Sequence, residues 1–192
     1  MQKGFLIADS ARRNSIMGTP LDKFIVQNKS LSLFQKILLT TDGTVTHLLR
    51  LYTGETIKVN KIRQEIVLSE APEAFLCVPG TSVLKRSIVL SGTQNYLYAE
   101  SVFVFERLSR SIQHKLIETD QPIGLLWKEE KLEINREIIE CRTESSETLA
   151  HSFNIEPQTL MLSRTYLIYH QQNVLGSITE KFPITFFKGE NI

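Results

Sequence analysis

The chain has no surplus of charge of either sign and no long hydrophobic run. Its 22 Lys plus Arg residues stand against 21 Asp plus Glu residues, which leaves a formal net charge of +1. Nucleic acids and anionic membranes attract clustered positive charge, so this balance does not indicate either partner. No stretch approaches the roughly 18 apolar residues of a membrane span, and the apolar patch in MQKGFLIADSARR is too short for a secretory signal. We therefore expect a soluble protein that is not exported.

Cysteines are also few. Cys77 and Cys141 are the only two in 192 residues, and their separation fits no metal-ligand spacing. Two such cysteines are typical of a reducing compartment, where they remain free thiols and pack as small hydrophobic residues. Disulfides and a cysteine metal site are therefore not expected.

Familiar catalytic signatures are missing as well. The sequence contains no GxSxG, no HExxH, no glycine-rich phosphate loop and no CxxC pair. Its histidines are scattered, mostly beside polar residues, and we interpret them as surface residues: His47, His114, His151 and His170. Any chemistry must therefore come from side chains outside these motifs.

The length and the 42% hydrophobic content fit one domain with a real core. Residues 1–30 mix Gly, Ser, Asn and Pro with apolar residues and have no steady periodicity, so they are predicted to be a loosely packed lead-in. Residues 31–192 are predicted to form a single domain.

Helices and strands are largely segregated along the chain. LSLFQKILLT has helical spacing, and TDGTVTHLLRLYTG predicts a short helix that begins after Asp42 or Thr44 and ends at Gly54. Three strand-like runs follow, IKVNKIRQEIVL, SVLKRSIVL and NYLYAESVFVF, with SGTQN as a hairpin loop between the last two.

Two helical segments, LSRSIQHKLIE and QPIGLLWKEE, come next, then the strand KLEINREIIECRT and the helix ESSETLAHSFN. TLMLSRTYLIYH and VLGSITEKFPI close the chain as a hairpin across HQQN. The pattern predicts an α+β fold with a central antiparallel sheet flanked by helices, rather than a parallel α/β fold.

Two charged residues lie on otherwise apolar strand faces. Alternation places Arg86 with Leu84, Ile88 and Leu90, and Glu180 with Val174, Ile178 and Phe182. Arginine holds a planar carboxylate through two parallel hydrogen bonds, and a glutamate in an apolar pocket can donate a proton. The alternative is that the two pair with each other, or with other charges, as a structural bridge. Alternation does not rank the further charged strand residues Arg63, Glu100, Arg136 and Arg164.

Five short motifs occur in a fixed order: DGTVT, LKRSIVLSG, YAES, QPIG and TEKFP. In this order they resemble the chorismate lyase family, the chorismate pyruvate-lyases that make 4-hydroxybenzoate. The resemblance is to the branch with DGTVT and AES motifs found in archaea, mycobacteria, cyanobacteria and algal plastids. It extends from about Asp42 to Phe186. It implies about six antiparallel strands, flanking helices and an enclosed pocket for chorismate.

The resemblance also implies roles for individual residues. The family's essential arginine falls on Arg86 and its essential glutamate on Glu180, both catalytic. Backbone N–H groups that hold the ring carboxylate fall nearest Val45 and Ile123. Arg164 or Arg63 is a candidate cation for the second carboxylate of the substrate. The better-known bacterial enzymes have Gly-Arg where this chain has Glu100-Ser101, so that arginine's role does not carry over.

The resemblance thus implies a lyase without a metal or organic cofactor, in the cytoplasm or the plastid stroma, whose product could feed quinone biosynthesis. The alternative is a non-catalytic domain that binds aromatic acids, since the same fold serves as the effector domain of transcription regulators. The roughly 40 residues before DGTVT show neither a helix-turn-helix pattern nor a basic cluster. A regulator is therefore not favoured, but a binder stays open.

Overall fold

A six-stranded antiparallel sheet forms the centre of the computed structural model, which describes residues 19–70 and 75–189. The spatial order is β1-β2-β3-β6-β5-β4, so that two halves meet where β3 pairs with β6. The strands are β1 (Lys58–Leu68), β2 (Ser82–Ser91), β3 (Asn95–Val104), β4 (Asn135–Ser145), β5 (Leu160–His170) and β6 (Asn173–Pro183). The predicted α+β class and antiparallel sheet are confirmed.

Helices connect the strands; the first five pack in the main core against one face of the sheet, whereas the last packs in a separate small cluster with Met161. They are α1 (Pro20–Gln27), α2 (Leu33–Thr40), α3 (Val45–Thr53), α4 (Arg110–Glu118), α5 (Ile123–Glu129) and α6 (Glu147–Phe153), with a short 3-10 turn at Phe105–Arg107. As predicted, α3 follows Thr44 and ends at Gly54, which takes the left-handed conformation at φ 73° that glycine adopts readily.

The first described helix lies inside the stretch that was predicted to be a loose lead-in. Thr19 and Asp22 form a reciprocal capping box, and Pro20 occupies the first helical position. Phe24 is buried in the main core. The loose-packing prediction is therefore wrong for residues 20–27. The sequence TPLD contains the signals for the start of this helix. Residues 1–18 lie outside the described part, and the division at residue 31 stays a prediction.

The main core lies between the sheet and the helices. It includes Leu84 and Phe103 from the first half of the sheet and Leu162 and Phe182 from the second, all at most 1% exposed. Completely or almost completely buried helical residues complete it: Leu38, Leu39, Leu49, Ile112, Leu116 and Leu126. Burial of these side chains is the main favourable contribution to folding.

A bulge near the start of β6 changes which residues face this core. Ile168 pairs with Gly176, but Tyr169 pairs with Val174, so Leu175 is an extra residue and the alternation inverts. Leu175 joins the main core, whereas Val174 packs in a separate small cluster. The prediction that Val174 shares a face with Glu180 is therefore wrong, while Ile178 and Phe182 are placed as predicted.

Candidate functional site

A cavity opens between the sheet and the N-terminal ends of α3 and α5. Its apolar walls come from β2, β3 and β6 and include Leu84, Ile88, Ala99, Phe103 and Ile178. The polar and charged side chains on its lining are few: Thr44, Thr46, Arg86, Ser101, Arg136, Tyr166 and Glu180, with the indole of Trp127. A mostly apolar cavity with a few convergent polar groups is typical of a small-molecule site.

Arg86 is almost completely buried in this wall, with 5% of its surface exposed. Its Nη1 donates to the Gln121 carbonyl oxygen at 3.1 Å, while Nε and Nη2 are buried with no hydrogen-bond partner among the described residues. Burial lowers the pKa of Arg86, and the nearby Asp120 carboxylate opposes that shift. Buried donors of this kind are costly unless they find an acceptor, so Arg86, which lines the cavity, has unused hydrogen-bonding capacity.

Glu180 is 7% exposed, and both of its carboxylate oxygens accept hydrogen bonds. Oε2 accepts from Arg164 Nε at 2.7 Å, and Oε1 accepts from the Tyr166 hydroxyl at 3.1 Å. Burial, reinforced by the Glu180 charge, raises the pKa of Tyr166, so the phenol stays a donor. The sequence left open whether Glu180 pairs with Arg86 or with another charge. It pairs with another charge, Arg164.

Arg164, predicted to bind substrate, lies behind Glu180 and is not part of the cavity lining. It is 1% exposed, pairs directly with Glu180 across β5 and β6, and donates from Nη1 to the Thr41 carbonyl oxygen at 2.9 Å. Burial opposes its charge, but Glu180, with smaller contributions from Tyr166 and Cys141, outweighs burial, and the pKa of Arg164 is raised. Arg164 thus connects the carboxylate to the loop before α3.

Arg63, the other candidate for a second cation, has a side chain that is 70% exposed and pairs with Glu65 at 2.8 Å. The cavity instead contains Arg136 of β4. The sequence carried a signal for it, because Arg136 alternates in phase with Leu132, Ile134 and Ile138. That signal did not separate it from the other strand arginines, since several strands have apolar residues on both faces.

Val45 and Ile123, whose amides were predicted to hold a carboxylate, are the first residues of α3 and α5 and both line the cavity. The first N–H groups of a helix have no partner inside it, and neither Thr44 nor Pro122 supplies a side-chain cap. The two helix ends are neighbours, since a Cβ placed on Gly124 would lie 3.7 Å from Thr44 Cγ2. The carboxylate-binding role of these amides stays a prediction.

In the described part of the chain, no group of three or more His, Cys, Asp or Glu side chains is placed to hold a metal ion. No helix in that part is long and apolar enough to cross a membrane.

The six-stranded sheet, its helices and the charged cavity between them define a small α+β domain. The effector domain of PhnF from Mycobacterium smegmatis shares this fold, with a TM-score of 0.58 and 14% identity over 73% of this chain and 88% of that one. A GntR-family transcriptional regulator from Bacillus cereus superposes with a TM-score of 0.55 and 10% identity, covering 71% of this chain and 97% of that one.

The sequence comparisons identify the family. The chain belongs to the chorismate pyruvate-lyase Rv2949c-like family, whose model matches residues 39–188. It is 30% identical to "Putative lyase MJ0807" of Methanocaldococcus jannaschii over 156 residues, 78% of each protein. It is 32% identical to the chorismate pyruvate-lyase of Mycobacterium leprae over 107 residues, 53% of this chain and 50% of that protein.

Proposed function

We propose that this protein eliminates pyruvate from chorismate to give 4-hydroxybenzoate, with no cofactor. Membership of the chorismate pyruvate-lyase Rv2949c-like family supports a reaction of this class. The observation that carries the proposal is Arg86, a buried guanidinium on a cavity wall with Nε and Nη2 unpartnered in the described structure. Such a fork is suited to a planar carboxylate that supplies two acceptor oxygens.

The ring carboxylate of the substrate would bind at this end of the cavity. Arg86 would donate two parallel hydrogen bonds, and the backbone N–H groups of Val45 and Ile123 would complete the carboxylate's environment. Both helix ends lie on the lining of the same cavity as Arg86, which supports this arrangement. Binding holds the ring in a defined position beside the catalytic groups. The entropy needed to reach the reactive geometry is then lost on binding, which lowers the barrier of the chemical step.

The chemistry requires the ether C–O bond at ring C3 to break and the proton at C4 to leave. The ring becomes aromatic, and the departing enolpyruvate takes up a proton to become pyruvate. Two roles were inferred for Glu180, proton donor or partner of the developing 4-hydroxyl. Its hydrogen bonds from Arg164 and Tyr166 favour an acceptor, so Glu180 would receive the hydrogen bond of the 4-hydroxyl or the C4 proton.

The test is to incubate the purified protein with chorismate and quantify 4-hydroxybenzoate and pyruvate by chromatography. Arg86→Gln and Glu180→Gln should each lower turnover by at least about 100-fold, the usual scale for a group that acts on the reacting atoms. The matched controls are Lys85→Gln, adjacent on β2 and exposed, and Glu100→Gln, exposed on β3. Wild-type turnover in both Arg86→Gln and Glu180→Gln would contradict the site assignment.

A non-catalytic binder is the second candidate, and the likeness of the fold to effector domains favours it. Both functions require a cavity that accepts an aromatic acid, so binding of 4-hydroxybenzoate does not separate them. Measurable binding of 4-hydroxybenzoate, with no pyruvate released from chorismate, would support the binder over the lyase. The compartment and the pathway that uses the product stay predictions.

A further inference from the structure

The cavity carries two positive charges, and neither forms an ion pair with a carboxylate of the described residues; Asp120 acts on Arg86 without forming one. Neither Arg86 nor Arg136 forms an ion pair in the described part of the chain, although both line the cavity. Glu180 is the acidic residue on the lining, and its charge is already compensated by Arg164 at 2.7 Å. Among the charged side chains of the lining and their ion-pair partners, two cations are therefore in excess, more than a ligand with one carboxylate can balance.

Arg136 is held in place by groups that leave its charge available. Its Cζ atom lies 5.9 Å from the ring centroids of both Trp127 and Tyr166, within the range of a cation–π contact. Its Nη1 donates to the Asp42 carbonyl oxygen, and its Nε is buried with no hydrogen-bond partner among residues 19–70 and 75–189. A guanidinium that is positioned by aromatic rings but lacks an anion is suited to bind one.

We propose that Arg136 binds the second carboxylate of a dianionic substrate and so distinguishes the substrate from the monoanionic product. The identity of that substrate, chorismate, rests on the function proposed above. Arg86 would hold the ring carboxylate, and Arg136 would hold the carboxylate of the enolpyruvyl side chain. Elimination separates the two carboxylates between two products, so 4-hydroxybenzoate loses the contact with Arg136 and keeps the contact with Arg86.

The inference is tested by binding alone, with no turnover. Isothermal titration would compare 4-hydroxybenzoate, a monoanion at pH 7, with 3-carboxymethoxy-4-hydroxybenzoate, an unreactive aromatic dianion. The wild type should bind the dianion more tightly. Arg136→Gln should weaken binding of the dianion by about tenfold, the scale of a partly exposed charge pair. It should change the affinity for 4-hydroxybenzoate by less than about twofold. Arg142→Gln, on the outside of the same strand, is the control and should change neither.

Arg136 also holds the loop at Asp42, so a purely structural role predicts a different pattern. If Arg136→Gln weakens the binding of both ligands equally, or leaves the affinity for the dianion unchanged, the proposal is overturned. Arg136→Lys keeps the charge and should retain part of the preference for the dianion; complete loss of that preference would count against charge recognition. If chorismate is not turned over but the dianion preference depends on Arg136, the proposed lyase reaction fails and this inference stands.

Discussion

Replacing Glu180 with methionine would leave the Arg164 guanidinium without its counter-ion at a position where 1% of the residue is exposed. Arginine stays charged under these conditions, so it cannot escape the penalty by losing a proton. Its remaining partners are the Thr41 carbonyl oxygen at 2.9 Å and the Tyr166 ring at 5.1 Å. Both are weaker partners for a full charge than a carboxylate.

Removing one member of a buried ion pair typically costs about 3–5 kcal/mol. Because Arg164 keeps these two contacts, Glu180→Met should lower the free energy of unfolding by about 3 kcal/mol, near the lower end of that range. Arg164→Met should cost no more than about that, because Glu180 lies on the cavity wall, where water can reach it, and keeps its hydrogen bond from Tyr166. The double variant replaces both charges by apolar side chains and should return to within about 1 kcal/mol of the wild type.

Urea unfolding at neutral pH would measure these differences, with Trp127 fluorescence as the signal, since the chain has one tryptophan and it is 3% exposed. The matched control is a cycle on Arg142 and Glu144, an ion pair with side chains 49% and 22% exposed. Its coupling should stay below about 1 kcal/mol. If the Arg164 and Glu180 effects add to within about 0.5 kcal/mol, the pair is not coupled and our account of the site is refuted.

Two further predictions concern one backbone amide and one thiol. Val45→Pro removes an N–H group at the first position of α3, where proline is tolerated; we expect a folded protein with about tenfold weaker 4-hydroxybenzoate binding by calorimetry, whereas Arg110→Pro, at the same position of α4, should bind normally. Burial raises the pKa of Cys141 to about 11 from 9.0. Between pH 9 and 11 the folded chain therefore keeps a proton that the unfolded chain releases, so the free energy of unfolding should fall as the pH rises through this range. In Cys141→Ala the free energy of unfolding should fall less steeply with pH. An unchanged pH slope in that variant, or normal binding by Val45→Pro, would contradict these readings.

Arg164 and Arg136 both hold the loop before α3. The two arginines donate to consecutive carbonyl oxygens, those of Thr41 and Asp42. The same loop leads directly to the Val45 amide at the start of α3. The position of a proposed carboxylate-binding amide therefore depends on side chains from β4 and β5, on the far half of the sheet.

Much of the fold followed from local patterns. The alternation in SVLKRSIVL and the spacing in LSRSIQHKLIE each correspond to an element of the structure, and Gly54 ends α3 where the sequence indicated. The same alternation selected Arg86 and Glu180 as inward charges, and both are buried. These features depend on residues close together in the chain, so the sequence alone can reveal them.

The misplaced features depend on contacts that alternation does not encode. The bulge that turns Val174 away from Glu180 arises from the pairing of β5 with β6, and strand alternation assumes that no such residue is inserted. Which strand arginine reaches the cavity depended on strand order, which places β1, with Arg63, and β4, with Arg136, at opposite edges of the sheet.

By itself the sequence determined the class of fold and the two inward charges on separate strands, because period-two alternation and helix end signals are local. Tertiary structure alone decided which charges meet. It paired Glu180 with Arg164, left Arg86 with unpartnered donors, and brought Arg136 into the same cavity. Ion pairing acts over a few ångströms in space, and residues 86, 136 and 180 become neighbours of one cavity only once the strands are assembled.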